Sequence, residues 1–425
     1  MSFHADRVVA TNQVVSYHRM EREGQTMGAF EYKLSAIASH ANTVLNSLKT
    51  STADHREVLF EEFIDYVSRQ RWVVRRQTQP AAERIIQKRL VDIYDRAIES
   101  EPSVSVLQAT VTHFARYRNA YPALDLTVVI PVYNSADLLS STLDSVLAME
   151  GLSYDVLLID DGSTDESLEI MHKYEQKYSN VHVFQQKNRG AGRARNAVIP
   201  LCTGRYTYFL DADDVINPSA LRQAVNKSDQ DDADLLFFEY RIEYSDEGKS
   251  RGMFIPDVEV WKNLVDADNH TQKQAATAEL INYPWNRLIR TSLLHDANIF
   301  FGPTVVHNDV LFHWHSILSA TNISWLDIEV CTHRKFTNRV QVTNIRDHRR
   351  MAVLEALRGT HERIGKLSTF DPVAERWSAF ASGLLSWAKD RIPVDLQGSY
   401  AERSRELESV ITGHANNASV SKCRD

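Results

Sequence analysis

Three aspartates in four positions, Asp211-Ala-Asp-Asp214, close an apolar run over residues 206–210. Carboxylates packed this closely repel one another unless a cation neutralises them. In an extended chain Asp211 and Asp213 project to the same side. Hard oxygen ligands of this kind suit Mg2+ or Mn2+, and either ion can bridge to the oxygens of a diphosphate. A second acidic turn, Asp160-Asp-Gly-Ser-Thr-Asp165, follows an earlier apolar run. Gly162 permits a sharp turn and Ser163 or Thr164 can cap a following helix, which accounts for the glycine and the hydroxyls. It does not account for two adjacent carboxylates, so Asp161 is read as an acceptor for a nucleobase N–H or a ribose hydroxyl.

The stretch Asn188-Arg-Gly-Ala-Gly-Arg-Ala-Arg-Asn196 brings the opposite charge. Its two glycines expose backbone N–H groups, and Arg189, Arg193 and Arg195 add positive charge, a combination that suits a diphosphate. A solvated basic helix start reads the same way. The full Gly-x-Gly-x-x-Gly dinucleotide pattern at a first βα turn is absent. Pro131-Val-Tyr-Asn134 ends the first apolar run, where a proline stops a strand and its carbonyl can meet a ligand donor. On its own that segment also reads as a plain loop.

These motifs need elements to hold them. Residues 126–132, 156–159, 181–184, 206–210 and 235–238 are short apolar, β-rich runs of the kind found in buried parallel strands. Amphipathic stretches lie between them at 136–148, 166–178 and 219–226. The alternation predicts an α/β fold: a mostly parallel, Rossmann-like sheet with helices on both faces. Ligands of such sheets sit beyond the carboxyl ends of the strands, where all four motifs fall. Helical periodicity dominates from about 29 to 120 and returns from about 347. The expected division is a helical accessory domain over 1–122, an α/β catalytic domain over 123–345 and a C-terminal helical region over 346–425.

Composition narrows the function classes. The chain has 425 residues, 43% hydrophobic and 24% charged, as in soluble globular proteins. Its net charge of −8 gives no reason to expect a nucleic-acid partner. Three scattered cysteines argue against a disulfide framework and for a reducing cytoplasm. There is no apolar run of membrane-spanning length, and the first 28 residues lack the apolar block of a signal peptide. Peripheral contact with the inner face of a membrane stays open. Arg69-Gln-Arg-Trp-Val-Val-Arg-Arg76 mixes four arginines with a tryptophan, which suits either anionic lipid or a solvated helix face. The N-terminal helices are also candidates for a homo-oligomer contact.

Taken in order, Val129-Ile-Pro-Val-Tyr-Asn134, Asp160-Asp-Gly-Ser-Thr-Asp165, Asn188-Arg-Gly with Ala194-Arg-Asn196, and Phe209-Leu-Asp-Ala-Asp-Asp214 resemble the family 2 nucleotide-sugar glycosyltransferases of the A-type glycosyltransferase fold. Pro284-Trp-Asn-Arg-Leu-Ile-Arg290 and His307-Asn-Asp-Val-Leu-Phe312 look like later parts of the same family. The resemblance spans residues 125–345, roughly half the chain.

The resemblance implies a donor site in which Asp161 reads the base, usually uracil, and Pro131 and Tyr133 line its pocket. Asn188 and Arg193 would serve the diphosphate, Asp211 would lie near the ribose, and Asp213 would coordinate Mn2+ or Mg2+. Asp309 would act as general base on the acceptor side, with Trp285, Asn286, His307 and Asn308 around it. Asn308 stands where the family often has a glutamate, and Arg287 where it often has a lysine. The implied reaction is inverting transfer of a sugar from a nucleotide-diphosphate donor, a UDP-sugar by family habit, to a saccharide or glycolipid acceptor in surface polysaccharide or glycoconjugate synthesis.

Two other readings compete. A sugar nucleotidyltransferase should carry a glycine-rich loop with lysine or arginine after its first strand, where this chain has Pro-Val-Tyr-Asn-Ser. A non-catalytic scaffold should have lost the aspartates, yet Asp211, Asp213 and Asp309 are present. His307, His313 and His315 invite a zinc reading, but a helix over 310–318 would point the last two apart, so ordinary histidines are expected, with His307, next to the implied base, the exception worth testing. His333, Arg334, Arg339 and Gln341 are expected in a polar loop able to close over the diphosphate.

Overall fold

The computed structural model describes residues 9–10, 14–15, 124–336 and 345–422. The expectations for 29–120, for the arginine-rich stretch at 69–76, and for Arg339 and Gln341 lie outside the described residues. Val9–Ala10 pairs with Val14–Val15.

The first half is a series of strand–helix steps. Strand β1 (Leu124–Val132) ends in seven consecutive buried residues, because its two faces are both covered and no polar alternation survives. It is followed by α1 (Ala136–Leu147), β2 (Tyr154–Asp160), α2 (Ser167–Lys177), β3 (Val181–Gln185), α3 (Ala191–Val198) and β4 (Gly204–Phe209). After the short β5 (Val215–Ile216) comes α4 (Pro218–Gln230). Its start is written in the sequence: Asn217 Oδ1 accepts from the Ala220 N–H at 3.2 Å and Pro218 takes the first helical position.

The second half contains β6 (Leu235–Tyr244), β7 (Lys249–Arg251), α5 (Ile255–Val265), α6 (His270–Glu279), β8 (Arg287–Arg290), α7 (Thr291–Asp296), α8 (Asp309–Ser319) and β9 (Ile323–Lys335). Three longer helices follow, α9 (Ala352–Ile364), α10 (Ala374–Lys389) and α11 (Gln397–Lys422), as the periodicity after 347 predicts.

The strands form one nine-stranded sheet in the order β3-β2-β1-β4-β8-β6-β9-β5, with β7 paired to β6. Strands β3, β2, β1 and β4 are mutually parallel. Strand β8 inserts antiparallel between β4 and β6, and β9 runs parallel to β6. The carboxyl ends of β1, β2, β3, β4, β6 and β9 therefore all meet on one edge. The end of β9 also pairs antiparallel with β5, Thr332 opposite Val215, which carries it to the residues just after Asp214.

One continuous apolar core reaches from the sheet into the C-terminal helices. Trp314 of α8 and Trp377 of α10 meet edge to face at 5.1 Å, both fully buried. Among the described residues no helix is long and apolar enough to cross a membrane.

Candidate active site

The loops after β1 and β2 are stitched together. Asn134 adopts a left-handed backbone, and its Oδ1 accepts from the Thr164 N–H at 2.8 Å. Ser163 Oγ accepts from the Asn134 N–H, and Asp165 Oδ2 from the Ala136 N–H. The result leaves the Tyr133 ring 49% exposed at the strand end, directly after the buried Pro131–Val132 pair. An exposed aromatic on a rigid loop is a ready stacking surface.

Asp161 is buried, and its oxygens face the third loop rather than open solvent. Oδ1 accepts from Gln186 Nε2 at 2.7 Å and from the Arg189 N–H at 2.8 Å, and Oδ2 accepts from the Gly190 N–H at 2.7 Å. Burial raises its pKa against the pull of these donors. Asp161 thus holds the loop that bears Asn188, Arg189 and Gly190. Asn188 is exposed on it, and Arg193 lies one turn into α3 with its Nε donating to the Pro303 carbonyl at 3.4 Å.

Helix α3 is the hinge of the site. Asn196 exchanges two hydrogen bonds with the Phe301 backbone, at 2.8 and 2.9 Å. A Cβ on Gly192 would stand 2.7 Å from Asn308 Cβ, so only glycine lets the loop before α8 come this close. Arg195, expected with its neighbours at a diphosphate, is turned inward: it is 4% exposed and ion-paired with Asp211.

The three aspartates gather as their spacing predicts. One carboxylate oxygen from each of Asp211, Asp213 and Asp214 lies within 4.8 Å of the others. They are not equivalent. Asp211 has Arg195, and Asp214, fully buried, accepts from His333 Nδ1 at 3.0 Å and from the Arg334 N–H at 2.9 Å. Burial draws the His333 pKa down, but the adjacent Asp214 carboxylate outweighs it and holds the ring above its ordinary value. Among the described residues no such cation sits on the Asp213 carboxylate, which is pushed up to about 7, by burial first and then by the charges of Asp214 and Asp211. A hard divalent cation fits this donor set, with Asp213 as the carboxylate left to receive it.

His333 and Arg334 are not in a polar loop. They lie in β9, paired with Ile242 and Glu243 of β6, and both are 9% exposed. The strand reaches this far because β6 offers a continuous partner. Arg334 braces the acidic turn, donating to the Asp213 carbonyl, to Ser141 Oγ at 2.8 Å and to Thr142 Oγ1 at 3.2 Å.

Trp285 and Asn286 are 1% and 2% exposed, so they act from beneath the surface. Trp285 stacks between Tyr283 at 4.3 Å and His333 at 5.0 Å. Asn286 Oδ1 accepts from Arg287 Nε, and the buried Arg287 also donates to the Tyr283 carbonyl at 3.0 Å. His313 sits between Arg287 Nη2 at 2.7 Å and the Ala278 carbonyl at 3.1 Å, a core histidine rather than a zinc ligand. His315 is likewise buried, and burial pushes it down to about 3.

Asp309 opens α8, where the helix dipole favours a carboxylate. Burial nonetheless pushes it up to about 6, with the charges of Arg195 and Asp211 acting on it from across the site. Asp309 thus feels the Arg195–Asp211 pair. Asn308 is buried and donates to the Val305 carbonyl at 3.3 Å. His307 is partly buried, with a left-handed backbone at φ 62°, and its ring meets Arg350 and Trp387. That link to the C-terminal helices was not legible from the motif alone, because Arg350 and Trp387 lie 43 and 80 residues further on.

Residues 127–297 match the family model described as Glycosyl transferase family 2. This stretch is a family 2 glycosyltransferase domain. The chain is 32% identical over 207 residues to the poly(ribitol-phosphate) beta-glucosyltransferase of Bacillus spizizenii, covering 47% of this chain and 31% of that protein. It is 29% identical over 211 residues to the cholesterol galactosyltransferase of Borreliella burgdorferi, covering 48% of this chain and 58% of that protein. The chain thus spans from a third to just over half the length of these relatives. The S. aureus TarS 1–349 structure in complex with UDP-GlcNAc superposes with a TM-score of 0.50 at 20% identity, covering 71% of this chain and 92% of that one. The glycosyltransferase domain has the A-type fold. The family match stops short of Asp309, His333 and the C-terminal helices.

Proposed function

We propose that the protein is an inverting glycosyltransferase that moves a sugar from a nucleotide-diphosphate donor, a UDP-sugar, to a saccharide or lipid-linked saccharide acceptor in surface polysaccharide synthesis. The observation that carries this reading is the Asp211–Asp213–Asp214 cluster beside α3, whose Arg195 pairs with Asp211 and whose Gly192 packs against Asn308, the residue before Asp309.

In this reading Tyr133 stacks on the base and Pro131 shapes its pocket, while Asp161 positions the loop and offers its remaining Oδ2 lone pair to the nucleoside. Asn188 and Arg193 face the diphosphate, and Asp211, set by Arg195, faces the ribose. Asp213 with Asp211 would hold Mn2+ or Mg2+, which when bound screens the negative charge developing on the departing diphosphate. Asp309 takes the proton from the acceptor hydroxyl as that oxygen forms the new bond at the anomeric carbon from the opposite face. A pKa of about 6 leaves it mostly ionised at neutral pH and close enough to neutrality to accept that proton. His307 and Asn308 flank the acceptor side, over the buried Trp285 and Asn286. The regions 1–122 and 346–425 serve as an accessory region, with oligomer or membrane contact, and as a helical buttress.

The test is a thermal-shift panel of nucleotides and nucleotide sugars with and without Mn2+. A true donor at 100 times its Kd stabilises the fold by about 2.7 kcal/mol. A Mn2+-dependent shift with uridine nucleotides and sugar transfer seen by mass spectrometry is the expected result. Pyrophosphate release from a nucleoside triphosphate would instead favour the nucleotidyltransferase reading.

A further inference from the structure

Arg287 at the start of β8 carries a charge into the interior, and the transfer chemistry described above makes no use of it. The residue is 1% exposed. Its Nε donates to Asn286 Oδ1 at 2.9 Å and its Nη2 to the Tyr283 carbonyl at 3.0 Å. Nη2 also lies 2.7 Å from His313 Nδ1, while His313 Nε2 lies 3.1 Å from the Ala278 carbonyl. Burial, then the Arg287 charge, holds the His313 pKa well below its ordinary value, so the neutral ring accepts from Arg287 and donates to Ala278. Nη1 is buried and has no hydrogen-bond partner. All the acceptors on Arg287 are neutral, and among the described residues no carboxylate pairs with it. A guanidinium stripped of water and given no counter-charge is costly. Burial pulls Arg287 down to about 9, against the charges of Asp309 and then Asp257, so it stays charged at neutral pH.

Of those two carboxylates, Asp257 is already held. Its Oδ2 accepts from the Tyr240 hydroxyl at 2.5 Å and its Oδ1 from the Ile281 N–H at 2.9 Å. Asp309 stands one helical turn before His313 in α8, and side chains four apart share a helix face. The guanidinium also lies 5.9 Å from the Phe312 ring centroid, so it runs beneath the face of α8 that carries Asp309. The other groups around Asp309 offer it no free positive charge. Arg195 of α3 is ion-paired with Asp211, and Asn282, which hydrogen-bonds Asp309, is neutral. Burial keeps the Tyr283 phenol un-ionised, and His307, pushed down to about 4 by burial and by Arg350, is uncharged at neutral pH.

We propose, on the reading of Asp309 as the transferase base, that Arg287 is its positioning residue: the buried, unpaired Nη1 edge supplies the counter-charge that keeps the carboxylate ionised beneath the acceptor. The attraction is reciprocal, since a carboxylate that favours the charged guanidinium is itself favoured in its charged form. A lysine supplies the same charge as a point, without the fork, whereas a glutamine keeps hydrogen-bonding capacity and loses the charge. If Arg287 did no more than tie the 283–286 turn to α8, the titration of Asp309 would not respond to that charge.

The test compares full-chain Arg287→Gln and Arg287→Lys with wild type, reading kcat/KM for sugar transfer from pH 5 to 9. In Arg287→Gln the acid limb should move up by about one unit from its wild-type position near 6, so activity falls about tenfold at pH 5 and recovers toward wild type at pH 9. Arg287→Lys should keep the limb in place. Loss of activity by one factor at every pH in Arg287→Gln overturns the proposal. Melting curves give a second readout that needs no turnover. At pH 7.5 the gain in melting temperature from Asp309→Asn should be about 3 °C larger in the Arg287→Gln background than in wild type, and the difference should vanish at pH 4. Equal gains in both backgrounds overturn the proposal whether or not sugar is transferred. Should Arg287→Gln be too unstable to assay, adding Asp309→Asn should restore a folded protein, and a double variant as unstable as the single overturns the pairing. Wild type that neither transfers sugar nor binds UDP with Mn2+ sinks the transferase reading, while the melting curves still decide the link between Arg287 and Asp309.

Discussion

Asp309→Asn separates catalysis from stability in opposite directions. The substitution keeps shape and one acceptor oxygen and removes the charge. Burial raises this carboxyl from the ordinary 3.8 to about 6. At 1.36 kcal/mol per pH unit that is about 3 kcal/mol, and partial solvent contact screens it to roughly 1.5–3 kcal/mol. Because the folded pKa lies above the unfolded one, the ionised form costs stability at neutral pH. That cost is absent below about pH 4 and builds as pH rises through 6. Asp309→Asn should therefore melt higher than wild type at pH 7.5, by roughly 3–9 °C for a domain of this size, and the gap should close at pH 4. Turnover should fall ~100-fold or more, the usual contribution of a positioned base. Wild-type kcat/KM should drop about tenfold per unit below pH 6. Scanning calorimetry across pH and a UDP-release assay on the same preparations read both quantities. A mutant less stable than wild type at pH 7.5 would mean that Asp309 chiefly caps α8, and near-normal turnover would remove it as the base.

Asp213→Asn should abolish the Mn2+-dependent part of UDP stabilisation and cut turnover at least ~100-fold; full wild-type activity in excess EDTA would contradict the metal reading. Asp161→Ala strands Gln186 and two backbone N–H groups, so it should lower stability by about 2–4 kcal/mol and weaken UDP binding as the 188–190 loop loosens. Intact UDP affinity in the folded mutant would show that the loop does not serve the donor. Gly192→Ala puts a methyl 2.7 Å from Asn308 Cβ, and the backbone before Asp309 must move. It should cost about 10–100-fold in kcat with UDP affinity little changed, whereas equal losses in both would place the loop in the donor site. Deleting residues 1–120 should leave the sheet folded and change oligomeric state or surface attachment; an insoluble remainder would show a shared core.

The half of the fold that lies before residue 238 was legible because parallel strands covered on both faces read as bare apolar runs. Their motifs fell where a parallel sheet must put them. The second half was harder for stated reasons. Strand β8 is four residues long with an arginine at each end. Strand β9 carries Asp327 and Glu329 and shifts register against β6 on both sides of Glu329, so no clean alternation marks it. His333 and Arg334 consequently read as loop residues, although strand pairing fixes them against the acidic turn. Arg195 could not be told from Arg193 by charge; only the turn of α3 sends one to Asp211 and the other to Pro303. No local signal announces Trp387 or Arg350, whose meaning depends on a loop that precedes them by many residues.

The thirteen-residue reach of β9 has a consequence for anyone recombining such chains. The four motifs that identify the family all precede residue 297, and a fragment ending there would be recognised without difficulty. It would lack the histidine that holds Asp214, the arginine that braces the acidic turn, and the helix that begins with Asp309. Chimeras that exchange acceptor preference by splicing at the family boundary should therefore arrive with a disordered donor site. A junction placed beyond β9 keeps the acidic turn with its own supports, and lets Arg350 and the helices that follow it be traded as a unit.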